Sequence, residues 1–195
     1  MTTVDFTKAD PTFVKHAHAL LDDIVDGRNR VILDDLVSRE TEFSNDPAVA
    51  ANVIRRNDLR TLAGACLHEY AMTIPSYIDS IDQALNDAVD SLIYLHITKN
   101  SDYSSYSNDR WANIRTCEYI GIPATTGILV RVLDKINRYI SLTRLPQLPR
   151  VKESLEDTLL DIVGYLLIHE CLQVEAVSVT SSMASSATIS SVRKY

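Results

Sequence analysis

The sequence predicts an all-α fold, a bundle of antiparallel helices. Apolar residues recur at helical spacing along most of the chain. Start and stop signals such as Asp10-Pro11, Asn45-Asp46-Pro47, Gly27 and Gly121 punctuate these runs. No stretch shows sustained period-two alternation bounded by hairpin turns.

In chain order, Pro11 opens a helix that carries Phe13, Val14, Ala17, Leu20, Leu21 and Ile24 on one side, and Gly27 can end it. Val31 to Arg39 reads as a second helix. From Ala48 to Met72 the pattern is helical, with a break expected at Asn57-Asp58, and the residue before Pro75 marks a boundary. A long helix is expected from Ser76 to Thr98 through Ile78, Ile81, Leu85, Val89, Leu92, Ile93 and Ile97. Asn100 to Thr126 is irregular, rich in Ser, Asn, Asp and Tyr, with a short helix from Arg110 to Tyr119 ending at Gly121. It is long for a plain connector, and such loops often carry function.

The chain is organised around the stretch from Gly127 to Ile168, which reads as two helices turned back on each other at Pro146 and Pro149. The first places Arg131, Asp134, Lys135 and Arg138 on one side and Ile128, Leu129, Val132, Leu133, Ile136 and Ile140 on the other. On the second, Glu153, Asp157 and Asp161 stack up one sector, because i, i+4 and i+8 share a helix face. That helix is otherwise apolar and should be largely buried, so its acids need cationic partners. The polar faces of the two helices are expected to meet. After Gln173 the composition changes, and from Ser178 about half the residues are Ser or Thr. A mobile tail is the default reading, with Val174, Val177 and Val179 leaving a short ordered segment or an oligomer contact as the alternative.

The 195 residues suit one domain with an extension, and the apolar fraction of 46% supports a real core. A net charge of −7 argues against general nucleic-acid binding, while a local basic stripe fits a small phosphorylated ligand. Cys66, Cys117 and Cys171 are odd in number, lack CxxC spacing and read as buried free thiols. With no N-terminal apolar leader and no evident membrane-length apolar run, the expectation is a soluble, cytoplasmic protein with no membrane partner. The five histidines show no metal-ligand spacing, and no phosphate-cradling glycine loop or Ser-His-Asp order occurs.

Three ordered blocks carry a resemblance: Lys99-Asn100-Ser101-Asp102-Tyr103 followed by Trp111-Ala112-Asn113 and Gly121-Ile122-Pro123, then Gly127 to Arg138, then Glu153 to Tyr165. Together they resemble the nucleotide-modification-associated domain 1 family, which is common in bacteriophages and is placed near the MazG-like all-α nucleoside-triphosphate pyrophosphohydrolases. The family pattern has Gly where this chain has Ser104 and Asn where it has Gly164, which removes a polar group beside Tyr165. The resemblance implies a MazG-like arrangement of antiparallel helices over residues 76–173, flanked by an N-terminal helical extension over 1–75 and a Ser/Thr-rich tail over 174–195. It implies a nucleotide-binding protein of phage nucleotide metabolism or DNA modification, acting in the cytoplasm of the infected host. The associated reaction is Mg²⁺-dependent hydrolysis of a nucleoside triphosphate to monophosphate and pyrophosphate, in a homo-oligomer. The apolar sides of the helices at Ser76–Thr98 and Asp157–Cys171 could supply the oligomer interface.

Under that reading Glu153, Asp157 and Asp161 are the candidate metal ligands, because a hard cation takes carboxylate oxygens and keeps waters that phosphate replaces. Asp161 and Glu153 are also the candidate catalytic acids. Arg131, Lys135 and Arg138 are the candidate phosphate ligands, and Asp102, Tyr103, Trp111 and Asn113 the candidates to hold the base. The alternatives are structural. The acids and cations could form a salt-bridge lattice, Arg131 to Asp157 and Arg138 to Glu153, and Trp111 could be a hydrophobic anchor. A helix with one acid among three cations also departs from the MazG-like metal pattern, which leaves a non-catalytic binder that senses or sequesters a signalling nucleotide, or a helical interaction protein, as competing functions.

Overall fold

A computed structural model of the chain describes residues 6–27, 32–41, 49–104, 109–144 and 154–192. Among the described residues there are eight α-helices and no strand, so the all-α expectation holds. The helices are α1 (Pro11–Val25), α2 (Leu33–Thr41), α3 (Val49–Arg56), α4 (Leu59–Thr73), α5 (Ile81–Ser104), α6 (Ala112–Arg115), α7 (Ala124–Arg144) and α8 (Leu155–Val192).

The ends follow local chemistry. Asp10 caps α1 by accepting the Phe13 amide at 2.9 Å, with Pro11 in the first turn. Asp58 caps α4 through the Thr61 amide, which explains the break expected at Asn57-Asp58. Ile74 is extended before Pro75, as that proline requires. The long helix starts later than expected, however. Pro75–Ile78 forms a 3-10 turn and Ser80 accepts the Gln83 amide, so α5 begins at Ile81. It then runs to Ser104, which places Asn100 to Tyr103 on a helix rather than in the irregular segment expected there.

Gly121, in the left-handed region at φ 80°, ends the 3-10 turn Thr116–Ile120 that follows α6 and redirects the chain into α7. Ser154 and Asp157 open α8 with a reciprocal pair, each side chain accepting the other's amide at 3.1 Å. The Ser/Thr-rich tail does not leave the helix: α8 continues through it to Val192 as one element of 38 residues.

α7 and α8 pack as an antiparallel pair, and α4 packs against α8. Phe13, Leu20 and Ile24 of α1 and Leu62 and Leu67 of α4 share one core with Leu92 and Ile93 of α5 and Leu159, Val163 and Leu166 of α8. Residue 75 is therefore no boundary of packing, and the N-terminal helices are part of the bundle. Most apolar residues of α5 and of α8 up to Leu172 pack into this core, while Tyr94 of α5 and Ile78 just before it stay exposed. The exposed valines of α8, Val174, Val177 and Val179, lie beyond it. By length and composition alone, Leu155–Val179 is long and apolar enough to cross a membrane, but its part up to Leu172 is packed inside the bundle. The described cysteines are free, Cys66 and Cys171 being buried, and burial pushes the Cys171 thiol up to about 12.

Candidate functional site

Four helical segments and the start of α1 frame a cleft of about 220 Å³. α5 contributes Leu92, Leu95, His96, Lys99 and Asn100, and α8 contributes Leu160, Asp161, Gly164, Tyr165 and Ile168. Trp111, Asn113 and Ile114 come from the α6 segment, Phe13 from α1 and Arg131 from α7. The cleft is graded in polarity. Phe13, Leu92, Trp111, Ile114 and Leu160 of its lining are buried, whereas Lys99, Asn100, Asn113 and Arg131 are more exposed.

Asp157 and Asp161 of the acidic row play different parts. Asp161, 6% exposed, is clamped by two ammonium groups: Lys99 bonds its Oδ1 and Lys135 its Oδ2, the latter at 2.8 Å. Asp157 is exposed at the helix start, where it serves the pairing with Ser154. Glu153 lies outside the described residues. Among the described residues no group of three or more His, Cys, Asp and Glu side chains converges as a metal-binding set. A carboxylate with both oxygens on lysines is a poor fit for Mg²⁺, which would have to displace one of them.

The α7–α8 register differs from the expected lattice. Lys135 meets Asp161, Arg138 donates to Thr158 Oγ1 at 3.2 Å, and Arg131 lies over the Tyr165 ring at 5.9 Å. Arg131 thus faces an aromatic ring where Asp157 was expected. Its guanidinium also approaches the Asn113 carbonyl at 3.5 Å, so Arg131 and Asn113 do come together in the cleft lining. Lys135 and Arg138 are turned to α8 instead. Asp102 is exposed in the last turns of α5, and it is not among the residues that line the cleft. The Tyr103 side chain lies outside the described residues.

Trp111 is an anchor. It is 1% exposed, and its indole N–H donates to Glu175 at 3.0 Å. Glu175 also receives Arg110 and, at 2.7 Å, Arg115, while Arg110 reaches on to Asp10 and lies over the Trp111 ring at 5.5 Å. Burial alone would raise the Glu175 carboxyl, but bonds from Arg110 and Trp111 and the charges of Arg110 and Arg115 outweigh it and hold its pKa below the usual value. This cluster fixes the α6 segment, and with it Asn113, against α8.

Several cleft residues were not among the candidate site residues read from the sequence. His96 is 8% exposed and stacks on Phe13, with ring centroids 3.9 Å apart and an interplanar angle of 9°. Burial and the Arg110 charge, against the opposing charge of Asp10, lower its pKa to about 4 and keep it neutral. Its Nε2 is buried with no hydrogen-bond partner among the described residues. Lys99 follows His96 at i+3 on the same side of α5, the one pattern that could have pointed to both. Gly164, where the resembled family has Asn, borders the cleft. A β-carbon at this position would meet only Leu92 Cδ1, at 3.8 Å.

No family model, no curated protein and no solved structure matches the chain. The fold and the cleft define an all-α bundle with an apolar pocket opening onto cations, and the resemblance to the nucleotide-modification-associated family rests on the sequence blocks alone.

Proposed function

We propose that the chain is a nucleotide-binding protein that holds its ligand in the α5–α8 cleft without hydrolysing it. The observation that carries the reading is the clamp on Asp161. Lys99 and Lys135 neutralise Asp161 through its two oxygens, and the residues that line the cleft carry two cations, Lys99 and Arg131, against that one carboxylate. That balance favours an anionic group, and the apolar, aromatic interior favours a flat ring beside it. The pyrophosphohydrolase reading asks Asp157 and Asp161 to hold Mg²⁺, and an exposed capping acid beside a lysine-clamped one fits that poorly. The phage setting and a cytoplasmic location come from the resemblance. Self-association is proposed through the exposed Val174 and Val177 of α8, and Val177→Glu lowering the mass seen by light scattering would support it.

A thermal-shift screen of nucleoside mono-, di- and triphosphates tests the function, because a ligand that binds only the native state raises its apparent stability. At least one nucleotide should stabilise the protein, and Arg131→Ala should weaken that binding by about 1–3 kcal/mol. A protein that no nucleotide stabilises does not have this function.

A further inference from the structure

The charges that line the cleft limit how much anion it can hold. Among the described residues the lining carries Lys99 and Arg131 as cations and Asp161 as an anion, and His96, which also lines it, is neutral. Arg131 is exposed, and among the described residues its guanidinium meets the Tyr165 ring and the Asn113 carbonyl rather than a carboxylate. Its planar fork is therefore open to two oxygens of one phosphoryl group.

Lys99 is the second cation, and it can be shared. Its side chain is 44% exposed, against 7% for Asp161. Lys135 holds the other Asp161 oxygen at 2.8 Å, so Asp161 keeps a partner when Lys99 turns one of its three N–H donors to a ligand. Asp161 and Tyr165 are one turn apart on α8, about 6 Å along the axis. Lys99, paired with Asp161, and Arg131, over Tyr165, thus stand above neighbouring turns, close enough to share one small anion.

The supply of positive charge ends there. With Lys135 offsetting Asp161, the two lining cations remain for a ligand. A phosphomonoester carries about −1.5 to −2 at neutral pH, which matches them. A triphosphate brings two further charged phosphoryl groups, for which the described lining has no further cation, and the Asp161 carboxylate repels them.

Building on the nucleotide reading, we propose that the cleft selects nucleoside monophosphates over di- and triphosphates: Arg131 and Lys99 bind one phosphoryl group, and the Asp161 carboxylate between its two lysines disfavours a longer phosphate chain.

Calorimetric titration in excess EDTA tests this with the 5′-mono-, di- and triphosphates of adenosine, guanosine, cytidine and thymidine. For the base that binds best, the monophosphate should bind at least about tenfold tighter than the triphosphate. Lys99→Met, which leaves Asp161 on Lys135, should weaken the monophosphate by about ten- to a hundredfold. Asp161→Asn should narrow the preference between mono- and triphosphate, a ratio that lost stability alone does not move. If the triphosphate binds as tightly as the monophosphate or tighter, or Lys99→Met binds the monophosphate as wild type does, monophosphate selection is overturned while nucleotide binding stands. If wild type binds none of the twelve, the nucleotide reading fails as well.

Discussion

Lys135 Nζ lies 2.8 Å from Asp161 Oδ2, and Lys99 holds the other carboxylate oxygen. An acid on a buried helix face has thereby become the centre of a cationic patch. Asp161→Asn should leave two ammonium groups facing an amide and destabilise the fold by about 3 kcal/mol, as breaking a buried pair does. Lys99→Met should cost under about 1 kcal/mol, because the Lys99 side chain is 44% exposed. Urea denaturation of the two variants checks the order, and equal losses would contradict the clamp.

Glu175 ties Trp111, Arg110 and Arg115 to α8. Its carboxyl is held below its ordinary pKa in the folded state, so its contribution is present above the unfolded value and is lost as pH falls through the folded one. Trp111 is the only tryptophan, which makes its fluorescence a direct report. Glu175→Gln should red-shift the emission at neutral pH, and acid should do the same to wild type. An unchanged spectrum in Glu175→Gln would show that packing alone holds the indole.

His96 gives a second pH signature of the same sign. Its folded pKa is about 4 against an ordinary 6.5, so the unfolded chain binds more protons between those values. Stability from the neutral imidazole is complete above about pH 6.5 and declines as pH falls towards 4, by up to roughly 3 kcal/mol. Asp10 and Arg110 are the charged groups that tune it. Unfolding free energies measured from pH 7 to 4 should slope less in His96→Phe than in wild type, and parallel curves would contradict the assignment.

Two helical glycines should respond oppositely to alanine. A β-carbon at Gly127 would sit 2.5 Å from Cys117 Sγ, so Gly127→Ala should destabilise by about 1–3 kcal/mol, and Cys117→Ala should restore most of it. Gly164 has room, with its nearest neighbour at 3.8 Å. There alanine should stabilise by about 0.5–1 kcal/mol through backbone entropy while narrowing the ligand cleft. Melting curves of the two single variants and the Gly127–Cys117 double variant decide it.

The elements that were legible in the sequence have local causes. Asp10-Pro11 opens α1, Asp58 restarts the chain at α4 and Gly121 closes the turn before α7, each through bonds within a few residues. The facing of α7 and α8 was legible from their polar stripes, but its register was not, because Tyr165 and Thr158 rather than acids fill the positions opposite Arg131 and Arg138. The Lys99–Asp161 and Trp111–Glu175 contacts join residues 62 and 64 apart, and no spacing rule reaches that far. The Ser/Thr-rich tail misled because composition speaks to burial, whereas a helix already nucleated by packing can extend through weak formers.

The central claim is that a cationic cleft built on a neutralised Asp161 binds nucleotide without metal. Titration calorimetry of the nucleotide found by thermal shift, in excess EDTA and then in Mg²⁺, with pyrophosphate release followed in parallel, tests it most directly. The account predicts similar affinity in both buffers, weaker binding in Arg131→Ala and no pyrophosphate. Binding that requires Mg²⁺, with pyrophosphate released by wild type and not by Asp161→Asn, would contradict it.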